Sequence, residues 1–174
     1  MPEIKDTDWA YAAGFVDGEG CIALTRTFVA SRERFTYSVA VVVVNRERGV
    51  LDWMREQWGG HVVAGSAAGG LSRPSWAWRS PSGTSAETFL VGIRPWLRIK
   101  GQQCDNAMSM IEVLKRSRYT LGRKLLPPEW LQSQEDHYWR QRQMNHRGIK
   151  PFVAEPMHSP RKINRARRDG DMLT

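Results

Sequence analysis

The stretch Y-A-A-G-F-V-D-G-E-G, residues 11–20, places Gly14 and Gly18 at helical spacing and ends on two acids, Asp17 and Glu19. A helix that only fills a core has little use for either choice. Small residues at positions 10, 12, 13, 14 and 18 remove the bulk that normally holds helices apart, so two backbones can approach closely. The chain holds no second copy of the stretch, so the natural partner is the same helix of a second chain across a two-fold axis. Such packing would bring the acids at the two helix ends near each other. Like charges at that range are costly unless protonation or a divalent cation relieves them. Mg²⁺ suits the position, because it takes oxygen ligands and keeps waters or substrate phosphates in its shell. Two carboxylates, a metal and a phosphate are the working parts of metal-assisted phosphodiester hydrolysis.

The remainder of the chain sets this helix in context. Its 174 residues suit one domain with an appendage, and 41% hydrophobic residues with 8 Trp suffice for a sizeable core. The formal net charge of +8 points to a polyanionic partner. Most of that charge sits at the end: Arg140, Arg142, Arg147, Lys150, Arg161, Lys162, Arg165, Arg167 and Arg168 stand against Glu155, Asp169 and Asp171. Cys21 and Cys104 are too few for a disulfide scaffold or a zinc finger, the start MPEIKDTD is polar, and no apolar run could span a bilayer. A soluble intracellular protein is expected, in cytoplasm, nucleoid or an organelle matrix, neither secreted nor membrane-bound.

Hydrophobic periodicity predicts a first helix, capped by Thr7 or Asp8, that ends at the glycines after Asp17. CIALTRTFV (21–29) and FTYSVAVVVVN (35–45) read as strands, and VLDWMREQW (50–58) as a helix stopped by Gly59-Gly60. HVVAGS and SWAWR are short strands, with Trp76 and Trp78 turned inward. A helix from about Thr84 bends near Pro95, and another runs over 101–117. After a basic break (RSRYTLGRK), Pro127 and Pro128 open a last helix through Trp130, Leu131, Tyr138 and Trp139. The expected organisation is a core domain over 1–118, a helical extension over 119–147 and a basic, flexible tail over 148–174. The four histidines have no metal-ligand spacing and read as surface groups. The class is α+β, with helices on one side of an antiparallel sheet. The other side, carrying Thr25, Thr27, Thr36, Ser38, Ser75 and Arg79, is polar enough to meet water or a ligand.

YAAGFVDGEGCI resembles the signature of the LAGLIDADG homing endonucleases, with residues 13–20 fitting throughout. VVVNRERGVLDWMREQWGGHVV resembles that family's second strand, following helix and double glycine. RPWLRIKGQQCDNA resembles the segment that ends in a catalytic lysine and enters the last core helix. With SWAW between them, the resemblance covers about residues 8–117 in order. It implies an αββαββα fold whose saddle-shaped sheet lies in the DNA major groove. A single signature implies a homodimer that reads and cuts a long, roughly palindromic duplex, as in intron homing.

Carried over residue by residue, the resemblance makes Glu19 the metal-binding acid, with the Gly18 carbonyl as a further ligand. Asn45 stands where the family often has Gln to orient attacking water, and Lys100 matches the basic residue beside the scissile phosphate. Asp is commoner than Glu at position 19, and the longer side chain can still ligate. Arg46 and Arg48 are both candidates for an assisting arginine. The cofactor implied is Mg²⁺ or Mn²⁺, with Ca²⁺ as a non-cleaving substitute. The expected DNA-contacting set is Thr25, Arg26, Thr27, Arg32, Arg34, Thr36, Ser38, Arg46, Arg48, Arg73, Ser75 and Arg79. Arg26 breaks the strand's parity, and Arg is the better reader of guanine edges. Ala10, Ala13, Gly14 and Asp17 are the expected dimer contacts, although Asp17 also suits a backbone-bonding role at the helix end. Asn45 suits a helix cap as well. Some members of the family act as maturases, so a protein that grips intron RNA, or a DNA-binding protein without cleavage, is the alternative.

Overall fold

The structure is a computed structural model that describes residues 4–32, 34–65, 74–120 and 127–146. Helix α1, Asp6–Glu19, begins slightly earlier than expected: Lys5 precedes it, with no side-chain cap. Asp6 and Asp8 in its first turn instead meet the positive end of the helix dipole. The chain passes directly into strand β1, Gly20–Val29, which pairs antiparallel with β2, Arg34–Asn45. Their register sets Gly20 opposite Val43, Thr25 opposite Ser38 and Val29 opposite Arg34. Alternation sends Ile22, Leu24, Val39, Val41 and Val43 into the core and Thr25, Thr27, Thr36 and Ser38 to the other face.

Helix α2, Arg48–Trp58, stops at Gly59 and Gly60, whose φ values are 73° and 85°. A Cβ at Gly60 would also lie 2.1 Å from the Arg79 carbonyl oxygen, so both space and backbone demand glycine there. Strands β3, His61–Ala64, and β4, Trp76–Arg79, complete a four-stranded sheet in the order β1-β2-β4-β3. Trp78 is buried and donates its indole N–H to the Gly59 carbonyl at 3.0 Å. A 3-10 turn at Gly83–Ala86 leads into α3, Glu87–Ile93, and a second at Arg94–Trp96 contains Pro95. Helix α4, Gly101–Thr120, runs on through part of the expected basic break. Helix α5, Pro128–Met144, follows. The basic tail, Arg73 and the Arg32 side chain lie outside the described residues.

The helices cover one face of the sheet, and the apolar core lies between the two layers. Helix α5 attaches differently. Its aromatic and leucine side chains are only half-buried, whereas Gln134, Glu135 and Gln141 are buried. β1 is one edge of the sheet, and its Ile22 carbonyl accepts from Gln141 Nε2 at 2.7 Å and Asn145 Nδ2 at 2.8 Å. An edge carbonyl needs donors, so polar residues occupy the place an apolar stripe would otherwise take. Asn106 of α4 joins them, donating to Gln141 Oε1 and the His137 carbonyl. His137 is therefore no surface group: Nδ1 lies 2.8 Å from Asn106 Oδ1, and desolvation, followed by the Arg140 charge, lowers its pKa.

Behind the sheet, Trp9, Trp58, Phe89 and Trp78 stack in a chain of tilted and edge contacts. Gly92 admits this cluster, because a Cβ there would sit 2.3 Å from the Trp9 ring. Trp9 is itself packed on Trp58 and Phe89, so it has little room to move. Gly92→Ala is expected to lower stability by about 1–3 kcal/mol despite alanine's better helix propensity. Urea unfolding measures this, and an unchanged or raised midpoint would show that the cluster yields.

Candidate functional site

The acidic end of α1 is tied down by hydrogen bonds from across the chain. The last carbonyls of a helix have no partner within it. Here Lys100, a residue only 4% exposed, donates from its ammonium to the carbonyls of Val16 at 2.8 Å and Asp17 at 2.5 Å. The Asp17 carboxylate in turn accepts from the backbone N–H groups of Arg98, Ile99 and Lys100, at 2.7, 3.1 and 2.9 Å. Burial alone would raise the Asp17 pKa, but the three N–H donors and the Lys100 charge outweigh it, leaving it below the ordinary 3.8. Asp17 is thus a structural acid, and Lys100 reaches the helix end as a cation sealing orphan carbonyls.

Glu19, the last residue of α1, remains exposed. Because Gly20 pairs with Val43, the end of β2 with Asn45 lies at the same corner of the sheet. Glu19 and the Lys100 ammonium therefore share the end of α1, and Asn45 follows two residues after Val43, the partner of Gly20. Asn45 Oδ1 accepts from the Glu47 N–H at 2.8 Å, making the turn into α2. The side-chain N–H₂ of Asn45 has no partner among the described residues.

The two candidate arginines separate. Arg48 pairs with Asp52 at 3.0 Å and lies 4.4 Å over the Trp76 ring, on the helix side of the sheet. Arg46 is exposed and makes no hydrogen bond or ion pair among the described residues.

Strand register places Thr25, Thr27, Arg34, Thr36, Ser38 and Arg79 on the face away from the helices, with Ser75 at matching parity. Thr25 and Ser38 hydroxyls meet at 2.6 Å. His61 and Val63 of β3 share this face, and the sequence reading missed both. Arg26 is a correction. It lies on the helix side, paired with Glu135 at 2.5 Å and stacked on Phe35, Tyr138 and Trp139, so it does not face outward.

Helix α1 also divides differently from expectation. Ala13 is fully buried in its own core and cannot contact a second chain. The exposed side carries Tyr11, Gly14 and Gly18, and a Cβ at either glycine would meet nothing within 4 Å. No contact among the described residues calls for glycine at these two places. Ile99, 72% exposed, stands beside this helix end through the Asp17 bonds. Periodicity hid these partitions, because every small residue on the helix looks equally suited to a close contact.

Among the described residues no three His, Cys, Asp or Glu side chains cluster for a metal. One chain supplies a single exposed carboxylate and nearby backbone carbonyls, an all-oxygen donor set that fits part of a hard cation's shell.

No protein-family model and no curated protein matches this chain. Solved structures do. The homing endonuclease I-CvuI, in complex with its target in the presence of calcium, is 20% identical over 85% of this chain and 87% of that one, with a TM-score of 0.67. The archaeal intron-encoded homing endonuclease I-Vdi141I, complexed with DNA, is 13% identical over 85% and 90%, also with a TM-score of 0.67. The LAGLIDADG homing endonuclease I-SmaMI, bound to cleaved DNA, matches 79% of this chain but 46% of its own, at 15% identity and a TM-score of 0.61. The chain therefore has the LAGLIDADG homing endonuclease fold, in agreement with the resemblance read from its signature.

The Asp17 contacts have a pH signature. A depressed folded pKa contributes stability that is present above the unfolded value, about pH 4, and is lost as pH falls through the folded pKa. Asp17→Asn should be less stable than the parent at pH 7, and the gap should close below about pH 4. Chemical denaturation across pH 2–7 reads the gap; a constant difference would remove Asp17 from this role.

Proposed function

We propose that this chain is a site-specific DNA endonuclease, dependent on a divalent cation and active as a homodimer on a long, pseudo-palindromic duplex. The observation that carries this reading is the exposed Glu19 carboxylate on a helix whose outer side is lined by unobstructed glycines, at the corner of a polar sheet face. Each feature alone suits other purposes; together they describe half of a two-fold acid site beside a surface for a polyanion.

A helical glycine costs about 1 kcal/mol against alanine, and two at exposed positions make sense if a second backbone approaches there. Two-fold packing through Tyr11, Gly14 and Gly18 brings two Glu19 carboxylates and their neighbouring Gly18 carbonyls together as candidate ligands. I-SmaMI supports this reading from another side, since this chain accounts for less than half of that one. Glu19 and Gly18 would hold the cation, which when bound supplies Lewis acidity to the scissile phosphate and eases deprotonation of water. Asn45 retains a side-chain N–H₂ to orient that water. Lys100 holds the end of α1 in place and adds positive potential from a buried position. Arg46, exposed and unpaired among the described residues, is the better placed of the two arginines for a phosphate. The outward Thr, Ser and Arg side chains would meet base edges and backbone. The complexes of I-CvuI and I-Vdi141I with DNA, and of I-CvuI with calcium or magnesium, support the choice of partner and cofactor.

Selection from a random duplex pool should enrich one long, near-palindromic sequence, cut in both strands with Mg²⁺ and uncut with EDTA. Glu19→Gln should keep binding and lose at least about a hundredfold in cleavage rate, the scale seen when one group stabilising a transition state is removed. A variant that cuts normally would dismiss Glu19. A parent chain that binds but never cuts with Mg²⁺ or Mn²⁺ would favour the binding protein or maturase instead.

Gly14→Leu should block close helix approach and leave a folded monomer, because Gly14 is exposed and a Cβ there meets nothing within 4 Å among the described residues. Sedimentation measures this, and a variant as dimeric as the parent would place the two-fold contact elsewhere.

A further inference from the structure

We infer that Glu135 is a positioning residue: it clamps the outer half of the β1–β2 hairpin from behind and thereby sets how that half reads DNA. The inference rests on the proposed DNA-binding role of the sheet's outward face.

The apolar core supports the hairpin only as far as the Leu24–Val39 pair, the last in register with both members buried. Beyond it, the residues turned toward the helices are Arg26 opposite Tyr37 and Phe28 opposite Phe35, all only partly buried. The Glu135 carboxylate, 5% exposed at its side chain, receives both members of the first pair: Arg26 Nη1 at 2.5 Å and the Tyr37 hydroxyl. Trp139 Nε1 donates to the same carboxylate at 2.8 Å, from the next turn of α5. The Arg26 guanidinium is stacked on Phe35, Tyr138 and Trp139 at 4.6, 5.0 and 5.1 Å. One buried acid thus spans two strands and a helix.

Its effect on the reading face follows from strand geometry. Thr25 and Thr27 flank Arg26, and Thr36 and Ser38 flank Tyr37, all four pointing the other way. Moving the backbone at positions 26 and 37 moves those four side chains with it. Removing the carboxylate's charge would leave a buried guanidinium without its counter-charge, which favours a displaced strand over the present one. The inner half of the hairpin, near Glu19, keeps its own support from Ile22, Val41 and Val43. A defect in the clamp should therefore be felt at outer base pairs and spare central ones.

The test compares the parent with Glu135→Gln on a duplex enriched by the parent from a random pool, and on its single-base variants. Glu135→Gln should lose about tenfold of its discrimination at outer positions, within the range of one base pair's contribution, and keep it at central positions. Amide hydrogen exchange on the free protein should show protection falling at 25–29 and 34–38 more than at 20–24 and 39–43. Tyr37→Phe, which deletes a single hydroxyl, should shift both readouts in the same direction by less, and it carries the test if Glu135→Gln does not fold. A parent that discriminates, with variants that discriminate alike at outer positions or lose protection uniformly, overturns the clamp alone. A parent that enriches no duplex overturns the DNA reading and the clamp with it.

Discussion

The mutual bonding of Asp17 and Lys100 is the constraint on which the geometry of this molecule depends. The C-terminal end of a helix leaves carbonyls without donors, and here that end is pressed into the fold where water cannot serve them all. The chain answers with an ammonium from more than 80 positions later, and the Asp17 carboxylate gathers three successive N–H groups from the same segment. The two residues bond in opposite senses, the Lys100 ammonium to the Asp17 carbonyl and the Lys100 backbone N–H to the Asp17 carboxylate. The start of α4, the end of α1 and the start of β1 are joined as one piece, and Glu19 is the residue left projecting from it.

That projection explains why the site looks incomplete in one chain. An exposed carboxylate beside helix-end carbonyls can hold part of a divalent ion's shell, and the remaining oxygens must come from elsewhere. The unobstructed glycines on the same helix say where another backbone could approach. The sheet matters as well, because its register turns Thr25, Thr27, Thr36, Ser38, Arg34 and Arg79 away from the helices, on a face they share with Val42, Val44 and Val63. The hydroxyl and arginine side chains on that face, and the exposed Glu19 at its corner, are compatible with the polyanionic partner proposed above.

Helix α5 shows how polar packing can serve where apolar packing could not. An edge strand and the far end of a hairpin both present groups that need hydrogen bonds, and a leucine stripe would have left them unsatisfied. Gln141 and Asn145 serve the strand edge, and Glu135 serves the hairpin. Such contacts are directional, so they locate the helix more narrowly than their modest net stabilisation would suggest.

The strands, the stopping glycines, the helix order and the acidic signature were all legible in the linear chain, because period-two and helical patterns, turn residues and unusual glycines are local properties. Glu19, Lys100 and Asn45 are singled out by matching those local stretches to the LAGLIDADG pattern. The use each side chain makes of its position was not legible. Arg26 sits between two outward threonines and reads as a nucleic-acid contact, yet a buried carboxylate 109 residues later holds it on the other side. Ala13 and Gly14 look interchangeable as small residues, and only packing against the sheet assigns one to the core and the other to the surface. The sequence by itself determined which elements form and, for the strands of the β1–β2 hairpin and for α2, which face is apolar, since those follow from neighbours along the chain. Only the tertiary structure decided which polar groups are consumed internally and which are left to act, because a buried charge takes its partner from whatever distant segment the fold brings within hydrogen-bonding reach.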